Sequence, residues 1–115
     1  METNTNKITI DDLMKVEITV GEILSAEIIP ESNKLLKLSV DFKEEKPRQI
    51  LSGIRSYFPN EQMLVGKKCL FVTNLEPRMM MGMESNGMLF ALSDNDGHFS
   101  LLETNIDIPV GTRAK

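Results

Sequence analysis

The first half of the chain alternates apolar and polar positions in short runs, which is the pattern of half-buried β-strands. The alternation is strict over Val16–Val20, continues as a mainly apolar course over Ile23–Ile29, and returns cleanly over Leu36–Lys43. Clusters of proline, asparagine and serine separate the runs, as turns require. Gly21 separates the first run from the second, and a glycine inside a long strand predicts a bend or bulge.

The rest of the chain predicts more short strands and little helix. Strands are predicted at 48–52, 69–73, 88–93 and 98–102. Thr9 or Asp11 can cap one helical turn near the N-terminus, and a short helix is predicted at 59–64, ended by Gly66. Residues 105–115 form an extended tail that can pack as an edge.

This order of elements predicts an all-β fold with a short helix. Five or six short strands, with one small helix between the third and fourth, fit a five-stranded OB-type barrel with extra C-terminal strands. An open sandwich is the alternative architecture.

The stretch Asn74–Leu92 joins two apolar runs and carries a proline, two glycines, one arginine and a cluster of methionines. Asn86-Gly87 predicts a hairpin reversal, because both residues tolerate positive φ. Two interpretations stay open. The methionines are core filler beside a turn, or they belong to an exposed, adaptable ligand loop at the rim of a small barrel.

Composition indicates one soluble globular domain. Of the 115 residues, 41% are apolar and 26% are charged, which is ordinary for such a domain. No apolar run approaches the ~18 residues of a membrane span, and the polar N-terminus predicts no signal peptide. The one cysteine, Cys69, lies in an apolar run, which favours a buried small hydrophobe and a cytosolic location.

The net charge of −4 conceals an asymmetry along the sequence. Lys34–Arg78 contains nine basic and five acidic residues, while the remainder contains four basic and twelve acidic residues. A basic segment can serve an anionic ligand even in an acidic chain. The alternative is that these charges alternate on outer strand faces and do not gather after folding.

The residues of known catalytic and metal sites are missing or isolated in this sequence. His98 is the one histidine, which makes a zinc site of nitrogen and sulfur ligands improbable, and no nucleophile elbow or phosphate-binding glycine loop occurs. The acidic pairs Glu44-Glu45 and Asp94/Asp96 offer too few oxygens for calcium. We therefore predict no enzymatic activity, no metal and no cofactor.

Several segments resemble, in order and spacing, one family of RNA-binding domains. They are Val16–Ile23, Asn33–Leu38 with Val40-Asp41, Arg48–Ile54, Leu64–Lys68, Asn74–Arg78 and Gly82–Leu89. This set resembles the tRNA-binding OB-fold domain at the C-terminus of many bacterial methionyl-tRNA synthetases. The same domain occurs as a free-standing dimeric tRNA-binding protein and in the endothelial monocyte-activating polypeptide group. The resemblance covers about 12–115, which leaves 1–11 as a flexible tail.

The resemblance implies a non-catalytic cytoplasmic module that raises tRNA affinity in support of methionyl-tRNA synthetase, in cis or in trans, as a homodimer. The positions that it implies for RNA contact are Lys34, Asn74, Arg78, Ser85 and Met88. The two cations can neutralise phosphates, the amide and hydroxyl can hydrogen-bond bases or a 2′-hydroxyl, and the thioether can contact a base. Each also has a structural alternative, in a turn, at a strand end or in the core.

This chain departs from the family pattern in ways that weaken phosphate neutralisation. Ile29 stands where the family usually has a histidine, and Glu31-Ser32-Asn33 replaces Asn-Ala-Asp. Met79–Met81 occupies positions that are usually more basic, and Asn86 replaces a glutamine. Because exposed apolar patches often mark protein interfaces, a protein-interaction or chaperone/export module on the same fold is the alternative function.

Overall fold

The computed structural model describes residues 6–115, and it begins with a short helix, α1 (Ile10–Leu13). Thr9 is its N-cap: its side chain accepts from the Asp12 N–H, and the Asp12 carboxylate accepts from the Thr9 N–H. This reciprocal pair is a capping box. Residues 1–5 of the predicted tail lie outside the described residues, and α1 begins within its last positions, so the boundary at residue 11 stays a prediction.

Nine strands follow α1, with two single turns of 3₁₀-helix at Arg55–Tyr57 and Glu61–Leu64. The strands are β1 (Ile18–Ile28), β2 (Leu36–Asp41), β3 (Arg48–Ser52), β4 (Lys68–Val72), β5 (Arg78–Met80), β6 (Met83–Ser85), β7 (Met88–Leu89), β8 (Ala91–Ser93) and β9 (Phe99–Leu101). None of the helices among residues 6–115 has the length and apolar character needed to cross a membrane.

Five antiparallel strands form the barrel, in the order β3-β2-β1-β4-β7. The gap between the edge strands is bridged where the Leu51 N–H donates to Ser85 Oγ at 2.9 Å and the Asn86 N–H donates to the Gln49 carbonyl at 2.8 Å. The strands β8 and β9 pair separately as a two-stranded sheet. The predicted all-β, OB-type barrel with extra C-terminal strands is therefore confirmed.

The interior of the barrel is filled by the apolar side of the alternating strands. Its fully buried side chains include Ile23, Leu36, Leu38, Val40, Ile50, Leu64, Cys69 and Phe71. Phe42 meets Phe71 edge to face, with 5.2 Å between ring centroids. Cys69 is a buried hydrophobe as predicted, and burial raises the pKa of its thiol to about 11.

The long first strand contains Gly21 without a break, so the predicted interruption at this glycine is wrong. The irregularity in pairing with β2 falls between Ile23 and Ser25 instead. Gly21 is required for a different reason, because a Cβ there would lie 2.5 Å from a ring carbon of Phe42 and 2.7 Å from a methyl of Val40. The glycine lets two core side chains close over β1.

The predicted hairpin at Asn86-Gly87 is also wrong. The tight reversal lies at Met81-Gly82, between β5 and β6, where both residues have positive φ (51° and 77°). Two successive left-handed residues match the twist of paired antiparallel strands. Gly87 instead connects β6 to β7, which belong to different sheets.

The C-terminal third follows the remaining predictions except that one predicted strand is two strands in the structure. The strand predicted at 88–93 is split into β7 and β8, and the turn predicted at 94–97 joins β8 to β9. The predicted edge role of the tail is confirmed: the Val20 N–H donates to the Thr112 carbonyl at 2.9 Å, and the Ala114 N–H donates to the Ile18 carbonyl at 2.8 Å. The helix predicted at 59–64 is the 3₁₀ turn Glu61–Leu64, capped by the Asn60 side chain.

Candidate nucleic-acid interface

The hairpin of β5 and β6 lies against β3 on the outside of the barrel. Besides the Ser85 contact, Gln49 Nε2 donates to the Glu84 carbonyl at 2.9 Å. Arg78 and Ser85 are directly opposite each other across the hairpin, so their side chains share one face. The fold thus places Arg78 on a strand pair that is hydrogen-bonded to β3, and not on an unsupported loop.

A small pocket opens between this hairpin, β3 and the start of β7. Its volume is about 100 Å³. Its lining residues are Leu51, Leu75, Glu76, Arg78, Met80, Ser85, Gly87 and Met88. Three of the five predicted RNA-contact residues therefore meet at one pocket, although they come from three different strands.

Arg78 is the exposed cation of this pocket. Within residues 6–115 its guanidinium takes part in no ion pair and no hydrogen bond. Met88 is 43% exposed and lines the same pocket. The pocket therefore combines an uncommitted positive charge with polarizable apolar surface, which suits an unpaired base and its phosphate.

Ser85 and Asn74 have structural roles that the sequence leaves open. Ser85 is buried, and its hydroxyl is engaged by the Leu51 N–H. Asn74 lies outside the pocket lining: its Oδ1 accepts from the Glu17 N–H at 2.8 Å and its Nδ2 donates to the Lys15 carbonyl at 2.7 Å. Both side chains hold backbone segments in place, and their contact with RNA stays a prediction.

Lys34 lies outside the pocket lining as well, in the turn that leads into β2. The turn is well supported, since the Lys34 N–H donates to Ser32 Oγ at 3.1 Å and its carbonyl accepts from the Arg55 N–H at 3.1 Å. The Arg55 guanidinium also donates to the Ser32 carbonyl. Lys34 is exposed, and no ion pair involves its ammonium in the described part of the chain.

Most of the basic stretch is committed to internal contacts. Lys37 pairs with Glu27, Arg48 with Glu44 and Lys67 with Glu103. Two further cations bond to backbone carbonyls: Lys68 to Ile106 and Ile108, and Arg55 to Ile29 and Ser32. Five of the nine basic residues are thus engaged, which leaves Lys34, Lys43, Lys46 and Arg78 among residues 34–78.

Arg48 closes the end of the barrel. Its Nε and Nη2 donate to the two carboxylate oxygens of Glu44 at 2.8 and 2.7 Å, and its Nη1 donates to the Thr73 carbonyl at 2.6 Å. The guanidinium also lies 5.3 Å from the centroid of the Phe42 ring. The hydrogen bonds from Arg48 hold the pKa of the Glu44 carboxyl below its ordinary value. This arginine stabilises the barrel and is not available to a ligand.

The hairpin between β8 and β9 gathers three potential metal ligands, Asp94, Asp96 and His98, whose ligand atoms lie within 4.8 Å of one another. All three residues are exposed, and His98 Nδ1 lies 2.7 Å from Asp94 Oδ2. Hydrogen bonds from the His98 backbone and ring lower the pKa of Asp94. Asp94 is therefore engaged within its own turn, and the group offers fewer oxygens than calcium takes.

The sequence did not single out Leu75, Glu76 and Met80 as part of the site. Glu76, Arg78 and Met80 follow one another at every second position, and in an extended chain such residues face the same side. That alternation is the sequence signal that could have placed Glu76 and Met80 beside Arg78, and it does not include Leu75. Glu76 is exposed, and its carboxylate forms no ion pair within residues 6–115.

Comparison with known proteins assigns the chain to one family. The family model "Putative tRNA binding domain" matches residues 18–113. The methionine–tRNA ligase of Methanocaldococcus jannaschii is 46% identical over 109 residues, which cover 95% of this chain and 16% of that protein. The chain thus spans about a sixth of the length of this relative.

Solved structures agree with this assignment. The MetRS related protein from Pyrococcus horikoshii is 37% identical with a TM-score of 0.88, covering 96% of this chain and 100% of that one. The CsaA chaperone protein from Picrophilus torridus is 25% identical with a TM-score of 0.82, covering 95% and 100%. The chain belongs to the tRNA-binding domain family and is related to the methionyl-tRNA synthetases.

Proposed function

We propose that this chain is a non-catalytic module that binds tRNA and raises its affinity for a methionyl-tRNA synthetase, in cis or in trans. The observation that carries the proposal is the pocket in which Arg78, Ser85 and Met88 meet, with the Arg78 guanidinium uncommitted among the described residues. The similarity of the chain to a methionine–tRNA ligase over 95% of its residues supports methionyl-tRNA synthetase as the enzyme that it serves.

Two cations that are uncommitted in the described part of the chain, one at the pocket and one outside its lining, define how the RNA would be held. Arg78 can pair with a phosphate or stack on an unpaired base, and Lys34 adds a second positive charge from the turn before β2. Because five of the nine basic residues are internally engaged, few phosphates can be neutralised and binding depends on few contacts. We therefore expect modest affinity that falls with salt.

The module would act as a homodimer in the cytosol. None of the side chains of α1 is buried in its own chain, and Ile10 is 67% exposed. Leu13 and Met14 lie exposed beside it. Residues spaced three and four apart share one face of a helix, and exposed apolar side chains on one face are typical of an interface. A second copy of the chain would cover them.

Titration with total tRNA at low salt tests the proposal. We expect saturable binding that weakens when Arg78 or Lys34 is changed to alanine, because each removes an uncommitted cation. Lys7→Ala, at an exposed lysine outside the basic stretch, is the matched control and should bind as the unchanged protein does. Absence of saturable binding would overturn the proposal.

A second candidate function is that of a chaperone or protein-interaction module. Met79, on β5, is 68% exposed and Met81, in the hairpin turn, is 50% exposed. Flexible thioethers suit varied apolar partners. The likeness to a CsaA chaperone supports it. Protection of an aggregating client protein, lost when Met79 and Met81 become serine, would favour this function over tRNA binding.

A further inference from the structure

The lining of the pocket beside Arg78 includes a glutamate, which a site for phosphates alone would not need. Glu76 and Arg78 both line it, two positions apart on an extended segment. They form no ion pair with each other, and neither is paired elsewhere within residues 6–115. A negative charge here repels RNA phosphates, and its acceptor oxygens suit a base edge that carries hydrogen-bond donors.

We propose that this pocket binds a single unpaired guanine base and that Glu76 determines the selectivity. The inference rests on the proposed function, since it names the part of the RNA that the same pocket recognises. Glu76 accepts hydrogen bonds from the N1–H and N2–H₂ donors of guanine. Arg78 donates to its O6 and N7 acceptors, which is the usual arginine–guanine contact.

Guanine is the base that offers both halves of this pattern. Its Watson–Crick edge carries two adjacent donors for one carboxylate, and its Hoogsteen edge carries two adjacent acceptors for one guanidinium. Adenine, cytosine and uracil each present a mixed donor and acceptor pattern on the Watson–Crick edge, so the carboxylate finds one partner at most. An uncommitted carboxylate and an uncommitted guanidinium in the lining of one pocket therefore favour guanine.

The size and walls of the pocket fit part of one base. Its volume of about 100 Å³ equals roughly three water molecules at ~30 Å³ each, which admits the corner of a purine where its two polar edges meet and not a whole nucleotide. Leu75, Met80 and Met88 supply apolar and polarizable wall. Base-directed recognition of this kind is directed at unpaired nucleotides, because a base within a helix hides these edges.

This assignment is consistent with the methionines that follow Arg78, because they stand where a more basic loop would contact phosphates. A chain with few free cations gains little from phosphates, so its affinity must come from contacts with bases. The negative charge of Glu76 weakens phosphate binding further, so the affinity depends still more on contacts with bases. The site is thereby expected to prefer particular unpaired bases where a more basic one would bind any RNA backbone.

Binding of labelled uridine heptamers that carry one central guanosine, adenosine, cytidine or inosine tests this inference. Fluorescence anisotropy at low salt should give about tenfold tighter binding of the guanosine heptamer than of the adenosine heptamer, as one bidentate contact supplies. Inosine lacks the N2 amine and should fall between them. The Glu76→Gln variant should lose most of this preference.

Glu84→Gln is the matched control, because Glu84 lies on the paired strand of the same hairpin, opposite Met79, and does not line the pocket. It should keep the guanosine preference in full. If total tRNA binds but the four heptamers bind alike, or if Glu76→Gln keeps the preference, the guanine assignment is wrong while the proposed function stands. If neither tRNA nor any heptamer binds, both fail.

Discussion

Ser85 Oγ accepts a 2.9 Å hydrogen bond from the backbone N–H of Leu51, and this contact joins the β5–β6 hairpin to β3. Both residues also line the pocket that contains Arg78. The same hydroxyl therefore helps to close the barrel and to shape the candidate binding site. A side chain that resembles a ligand contact in the sequence is, in the fold, first a support for its neighbours.

Replacing Ser85 with alanine should destabilise the protein. The buried Leu51 N–H would lose its acceptor, which costs about 1–3 kcal/mol. Urea unfolding followed by circular dichroism measures the change in the free energy of unfolding. Ser93→Ala, at an exposed serine of β8, should leave that free energy nearly unchanged; an equal effect of both changes would contradict the role given to Ser85.

Gly21→Ala should destabilise the barrel by about 1–3 kcal/mol through overpacking of the core. The added methyl would meet Phe42 and Val40, which are core side chains held on the neighbouring strand segment. Thermal unfolding provides the measurement. Gly53→Ala is the control, because no atom lies within 4 Å of a Cβ at that position. Wild-type stability of Gly21→Ala would mean that β1 and Phe42 do not approach so closely.

The Glu44–Arg48 pair should make the free energy of unfolding decrease at acidic pH. Arg48 lowers the pKa of Glu44 below the ordinary 4.5, so the unfolded chain takes up this proton at a higher pH than the folded one. The contribution is present above about pH 4.5 and is lost as pH falls through the lower, folded pKa. It should be modest, because the Glu44 side chain is 43% exposed.

Urea unfolding at pH values from about 6 to 3 tests this pH dependence. The stability difference between the unchanged protein and Glu44→Gln should narrow as the pH falls. Glu45→Gln is the matched control, since Glu45 is exposed and no ion pair involves it in residues 6–115. A difference that stays constant over this range would contradict the coupling.

If α1 forms a dimer interface, light scattering should give twice the chain mass of 13.0 kDa. The double change of Ile10 and Leu13 to serine should return the monomer mass, because it removes exposed apolar surface from that helix. Met63→Ser, at another exposed apolar residue, should leave the dimer intact. A monomer mass for the unchanged protein at micromolar concentration would remove the dimer from the proposal.

Local pattern predicts the strands well and the connections poorly. The period-2 alternation gives β2 because the burial of its side chains alternates with the same period. Turn chemistry alone favours Asn86-Gly87, yet the reversal lies at Met81-Gly82. Contacts with β3, 34 residues away for Ser85 and Leu51, decide where the hairpin sits, and no local signal carries that information.

The site was predictable in the same partial way. The resemblance predicts Arg78, Ser85 and Met88 as RNA-contact residues, and the fold places all three at one pocket. It does not identify Glu76, because the meaning of that residue depends on which side chains stand beside it once the hairpin has folded. Charge counts along the sequence mislead for a similar reason: most of the basic stretch pairs with segments distant in the chain.

The salt dependence of tRNA binding, measured for the unchanged protein and for Arg78→Ala, tests the central claim most directly. If Arg78 contacts the RNA at the pocket, the variant should bind tRNA about tenfold more weakly. The plot of log affinity against log salt concentration should also become shallower by about one unit where that contact is to a phosphate, and should keep its slope where it is to a base. Lys7→Ala should retain the slope of the unchanged protein. Saturable binding whose affinity and slope are the same with and without Arg78 would contradict the account.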